Sequence, residues 1–213
     1  VVIVCEAQKV LYLAPPKTGS ASVVRALIAP TIGGQYYDTK INHHNTVWEE
    51  RFRDWYIFIT VRHPYTKAVS FWRYACDQAY NRKNPDRPRA WCKVFRTGLP
   101  SLEGFLLYPQ LQTAFLSVWR TSWHTEVIQR PVDKVVYQER FVEGIAQVPV
   151  LGGQQLKREN AGPPSRYAWH TFYTKEAIDH VREMWAADFE TFGYNPNFEE
   201  CVAGKFFTET IPA

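Results

Sequence analysis

Residues 8–28, QKVLYLAPPKTGSASVVRALI, contain two apolar runs of different period, separated by a proline pair. The first run, residues 8–14, reads as a buried strand. Pro15 and Pro16 supply turn chemistry. Residues 20–28 then place their apolar side chains on one face of a short helix. A strand, a tight turn and a helix N-terminus together form a general anion site. First-turn N–H groups have no intrahelical acceptor, and the helix dipole adds partial positive charge. Residues 16–22 add one cation, Lys17, and three hydroxyls, on Thr18, Ser20 and Ser22. A Walker A loop, GxxxxGK[ST], places its lysine after the second glycine. Here Lys17 precedes Gly19, which disfavours an ordinary ATPase or GTPase. On this loop alone, a plain β-turn-α connection with an exposed lysine stays open.

Outward from this stretch, strands and helices alternate. Residues 55–61, WYIFITV, are continuously apolar, aromatic and β-branched, as expected of a strand covered on both faces. A helix is predicted from about Tyr65 to Asp77, where an early proline is tolerated. A third strand is predicted at 134–138, KVVYQ, with a helix near 139–147. Residues 101–120 are expected to be helical. Residues 46–54 are expected to form a short polar helix capped by Asn45 or Thr46, and Gly33 and Gly34 fall in a loop. Residues 174–192 read as one amphipathic helix with Thr174 as its cap. The fold class expected is therefore α/β: a P-loop-like three-layer arrangement with a central, mainly parallel sheet flanked by helices.

The 213 residues suit one domain, spanning 1–213, with a proline-punctuated insertion at about 80–100. Hydrophobic residues at 46% and aromatics at 15% are enough for a sizeable core, which argues against disorder. A net charge of +4 suits an anionic small ligand and is too small an excess for a nucleic-acid module. No apolar run approaches the roughly 18 residues of a membrane span. Val1 opens the sequence and the one methionine is Met184, so a start upstream of Val1 is expected. Four cysteines, Cys5, Cys76, Cys92 and Cys201, form no CxxC pair and no zinc spacing. Cys76 and Cys92 flank a polar segment and could close it in an oxidising compartment. Free thiols are equally compatible, and the compartment stays open.

A second constellation sits at RHPYTKAVS, residues 62–70. Arg62 ends the strongest strand, at the sheet edge where open α/β folds bind ligands. Its planar fork suits a phosphate, and Ser70 follows about two helical turns later. Taken with PKTGSAS at 16–22, the chain resembles the sulfotransferases that use 3′-phosphoadenosine 5′-phosphosulfate (PAPS). Their 5′-phosphosulfate loop reads close to PKxGSxS and their 3′-phosphate element reads RxPxxxxxS. HHNTVWEE at 43–50 is similar to the H-x-T segment of the carbohydrate-type branch. VDKVVYQERF and the stretch ending DFETFGY resemble that family's later strand and C-terminal helix.

The resemblance implies sulfuryl transfer from PAPS to an acceptor hydroxyl or amine, leaving 3′,5′-adenosine bisphosphate. Lys17, Thr18, Gly19, Ser20, Ala21 and Ser22 would hold the phosphosulfate. Lys17 would stabilise charge on the leaving phosphate. Arg62 and Ser70 would hold the 3′-phosphate. His44 is the implied general base, ahead of His43, with Glu49 and Glu50 behind them. No metal is implied. Lys157 and Arg158, in the basic loop 156–169, either approach a donor phosphate or sit solvated. Trp72, Trp91, Trp119, Trp123 and Trp169 belong either to the core or to faces that stack on an acceptor. Residues 80–100 carry Arg82, Lys83, Arg87, Arg89 and Lys93 against Asp86, which fits either an anionic acceptor such as an acidic glycan or a solvated loop. The rival readings are a P-loop phosphotransferase, which would need a Walker lysine and Mg²⁺, and a non-catalytic module binding nucleotide or sulfated glycan. Acceptor identity and oligomeric state are not legible.

Overall fold

The computed structural model describes residues 2–37, 49–79, 101–107, 121–122, 125, 130–154, 156 and 167–208. They fall into two compact units, one built from residues 1–62 and 119–164, the other from residues 63–118 and 165–213.

The first unit is a five-stranded sheet: β1 (Val2–Cys5), β2 (Val10–Leu13), β3 (Gln35–Tyr36), β4 (Tyr56–Val61) and β5 (Lys134–Tyr137). The strand order is β3-β1-β2-β4-β5. β2, β4 and β5 run parallel, with Leu13 beside Ile59 and Val61 beside Tyr137. β1 pairs antiparallel with both β2 and β3. The fold class is α/β, with a mainly parallel core flanked by helices. Helix α1 (Ser20–Leu27) follows β2, and α4 (Phe141–Ala146) follows β5. Tyr12, Phe58 and Val136 pack on one face of the sheet with Val23 and Leu27 of α1 and Ile145 of α4. Tyr12 and Phe58 stack with centroids 4.5 Å apart. Leu11, Leu13, Ile57, Ile59 and Val61, alternating onto the other face, are also buried. A strand buried on both faces reads as an unbroken apolar run, as residues 56–61 do.

Two features of this unit depart from the sequence reading. β1 and the edge strand β3 were not anticipated. The β1–β2 turn contains neither glycine nor proline. A 3₁₀ turn at Glu6–Gln8 makes it, closed by Lys9 in the left-handed region at φ 53°. Of the helix expected at 46–54, the described residues 49–54 contain a 3₁₀ turn over Glu50–Phe52; residues 46–48 and the expected caps lie outside the described residues.

The second unit is helical. It comprises α2 (Pro64–Ala79), α3 (Leu102–Leu106), α5 (Lys175–Met184), α6 (Ala186–Thr191) and α7 (Phe198–Val202). Pro64 opens α2, where its missing N–H has no partner to lose. Thr174 caps α5 as predicted, accepting from the Ala177 N–H at 3.2 Å. The single helix expected over 174–192 is two, because Trp185 leaves helical geometry at φ −111°, ψ 26°. That break leaves Trp185, Asp188 and Phe189 all buried. The core is rich in rings: Tyr65 lies 5.1 Å from Phe198 and 5.4 Å from Phe189. Lys67 and Asp188, each 1% exposed, form an ion pair at 3.5 Å. Trp72 packs on Phe172, and Trp169 on Phe198 and Tyr173.

Candidate active site

The ends of β2, β4 and β5 define one edge of the parallel sheet, where open α/β sheets place their ligands. The chain leaves β2 at Leu13 and turns through residues 14–19 into α1. Two residues of this turn have positive φ, Lys17 at 65° and Gly19 at 83°. Gly19 is the residue before α1, and no side chain caps that helix. Its first-turn amides thus have no intrahelical acceptor. A Cβ at position 19 would make ordinary contacts, 3.4 Å from Gln138 Cγ and 3.5 Å from the Phe141 ring, so it is the backbone conformation rather than lack of space that calls for glycine.

Lys17, Ser20 and Ala21 are half-buried, and Ser22 is buried. Thr18 is fully buried and its hydroxyl turns inward. It donates to the Pro15 carbonyl at 2.8 Å and lies 2.8 Å from Thr60 Oγ1 of β4. Thr60 Oγ1 is in turn 2.7 Å from the Tyr12 hydroxyl. Of the three loop hydroxyls counted in the sequence, Thr18's is therefore committed to the protein, and its backbone N–H is what it can offer a ligand. Arg62 follows Val61, one step past the end of β4 and two residues beyond Thr60, and is half-buried. The loop and Arg62 thus share one sheet edge, tied together through Thr18 and Thr60.

The other sequence candidates are distributed differently. Ser70 lies two turns into α2, half-buried, in the second unit. His43, His44, Lys157 and Arg158 lie outside the described residues, as do the 80–100 insertion and Cys92 of the possible pair with Cys76. Glu49 and Glu50 are engaged by Arg51 and Arg53 respectively. His63, next to Arg62 in sequence, is fully buried in the second unit among Tyr65, Phe189, Tyr194 and Phe206. Burial lowers its pKa to about 4, against a smaller opposing effect of its bond to the Asn195 carbonyl. A cleft of about 470 Å³ in the second unit, lined by Arg182, Phe189, Tyr194 and Thr208 among others, contains none of the predicted residues. Among the described residues no cluster of His, Cys, Asp and Glu is arranged to hold a metal ion. Among the same residues no helix is long and apolar enough to cross a membrane.

Sequence reading missed Tyr12 and Thr60. The hydroxyls of Tyr12 and Thr60 sit in otherwise apolar strands, LYL and FITV, and that isolation is the one signal the sequence carries.

Fold and loop define a class: an α/β protein whose parallel strands end in an anion-type loop with one lysine at its bend. The family follows from comparison with known proteins. The chain belongs to the sulfotransferase family, whose model matches residues 2–195, and to its carbohydrate-type branch. Membership makes it a transferase of sulfuryl groups. No curated protein and no solved structure matches it.

Proposed function

We propose that the chain transfers the sulfuryl group of PAPS to an acceptor hydroxyl by in-line displacement. The observation that supports this most is the shared edge of β2 and β4. It carries an uncapped helix N-terminus with Lys17 at one strand end and Arg62 at the next. A helix N-terminus with a lysine suits the phosphosulfate. A guanidinium suits the 3′-phosphate that separates this donor from ATP. Ser70 joins Arg62 in that role on the strength of the RxPxxxxxS motif, and Lys157 and Arg158 join the donor site from the sequence of their loop.

In the proposed step the acceptor oxygen forms a bond to sulfur as the bridging S–O bond to the 5′-phosphate breaks. The acceptor proton passes to a neutral histidine, His44. The electron pair of the broken bond stays on the phosphate, making 3′,5′-adenosine bisphosphate. Lys17 and the amides of residues 18–22 stabilise that growing charge. No metal is needed in this scheme, because lysine and amides meet the charge directly. The acceptor class that fits the carbohydrate-type branch is a glycan hydroxyl.

Calorimetry tests the reading, comparing 3′,5′-adenosine bisphosphate with 5′-AMP on the parent chain and on Arg62→Ala. A preference for the bisphosphate that is lost in the variant supports the donor assignment. Equal or absent binding of both nucleotides by the parent overturns it and leaves a non-catalytic module.

A further inference from the structure

The three hydroxyls behind the loop can be ordered by counting protons. Thr18 donates its single proton to the Pro15 carbonyl, which can only accept. The proton between Thr18 and Thr60, 2.8 Å apart, therefore belongs to Thr60. That leaves Tyr12 as the donor across the 2.7 Å to Thr60. The chain runs in one direction, Tyr12 to Thr60 to Thr18 to Pro15 C=O, and all three side chains are fully buried. Burial raises the Tyr12 pKa far above its ordinary value, so its hydroxyl stays a donor.

The chain spans two strands and one turn, and it ends on the turn that bends at Lys17. A non-glycine residue at φ 65° is strained and persists only where its surroundings over-determine it. Thr18, next to Lys17, is a loop side chain held from the sheet. We infer that Thr60 and Tyr12 are positioning residues for the reaction. Through Thr18 they lock the left-handed bend that presents Lys17 and the following amides at the sheet edge. The inference rests on the donor reading above for what the loop binds, but not for whether the loop is held. Removing the Thr60 hydroxyl leaves Tyr12 with no acceptor and Thr18 with one bond fewer, whereas serine at 60 keeps the chain.

The experiment uses the full chain, with Thr60→Val, Thr60→Ser and Tyr12→Phe, and Thr60→Ala should the valine variant not fold. Amide hydrogen exchange over residues 16–22 reads the loop directly, and calorimetry reads affinity for 3′,5′-adenosine bisphosphate. Thr60→Val is expected to speed loop exchange and to weaken the nucleotide, each by about tenfold. Thr60→Ser should keep both within about twofold. Tyr12→Phe, which leaves the Thr60–Thr18 link intact, should fall between them. Unchanged loop exchange in Thr60→Val overturns the inference, as does faster loop exchange with unchanged affinity. So does failure of serine to rescue, since a loss of packing alone would not distinguish hydroxyl from methyl. If the parent binds no bisphosphate, the donor reading fails, and loop exchange alone decides whether the hydroxyl chain holds the bend.

Discussion

Lys17 is where backbone strain and chemistry meet. Its left-handed backbone costs about 1–2 kcal/mol relative to a relaxed residue, and in the proposed mechanism its ammonium meets the charge on the leaving phosphate. Glycine at 17 separates the two roles. It relieves the strain, but its greater freedom when unfolded costs about 0.5–1 kcal/mol, so the terms nearly cancel. Lys17→Gly is expected to unfold in urea within about 1 kcal/mol of the parent, while donor turnover falls by about 10²–10³-fold. A large loss of stability would place the lysine in the architecture rather than the chemistry. Unchanged turnover would remove it from the mechanism. At this scale the site was half legible. Lys17, Gly19 and Arg62 could be read because their order along the chain survives in the sequence. Tyr12 and Thr60 could not, because they meet only through the register that sets Tyr12 beside Phe58. In the sequence each is one more residue of an apolar strand.

Among the elements, α4 shows how closely the first unit's helices approach its sheet. A Cβ on Gly144 would lie 2.9 Å from Val136 Cγ1 of β5, and Val136 is fully buried. Alanine at 144 would improve helix propensity by about 1 kcal/mol. It would also overpack the β5 contact, at a cost of about 1–3 kcal/mol. Because Val136 is a stiff β-branched residue in a hydrogen-bonded strand, the contact should win. Gly144→Ala is expected to lower stability by about 1 kcal/mol in urea, and Val136→Ala in the same chain should remove that penalty. An additive double variant would mean that the two residues do not meet. The elements were legible where pattern alone decides. β2, β4, β5, α1 and α2 begin and end near the positions their apolar periods indicate. They were illegible where a turn used residues without turn chemistry. Lys9 closes the first hairpin with no glycine, and Trp185 breaks a helix that its sequence would continue, with neither glycine nor proline to mark the place.

For the whole molecule, acid should act unequally on the two units. The described histidines, His63, His170 and His180, all belong to the second unit. The Asn195 carbonyl accepts from both His63 Nε2 and the Cys201 thiol, which fixes the neutral His63 tautomer. Among the described titratable groups that face that ring are Tyr65, Tyr194 and the Cys201 thiol, whose own pKa burial raises to about 12 with help from Glu200 and Glu199. None of these three is a carboxylate that could balance an imidazolium. His63 has a folded-state pKa of about 4, below its unfolded value of 6.5. Between these values the unfolded chain binds the proton that the folded unit refuses, so stability rises with pH. The contribution is fully present above about pH 6.5 and is lost as pH falls toward 4. The full span is on the order of 3 kcal/mol, of which about 2 kcal/mol is gone by pH 5. Burial lowers the His180 pKa as well, opposed by Glu183 and the Leu106 carbonyl, which adds in the same direction. Hydrogen exchange at pH 7 and pH 5, corrected for intrinsic rates, separates the units. Core amides of Val181 and Phe189 should lose about 2 kcal/mol of protection, while those of Phe58 and Ile59 keep theirs. His63→Gln should reduce the second unit's pH dependence to the part that His180 carries, whatever it costs in absolute stability. Equal slopes in the two units, or a slope that the substitution leaves unchanged, would mean that the buried His63 imidazole is not what acid attacks.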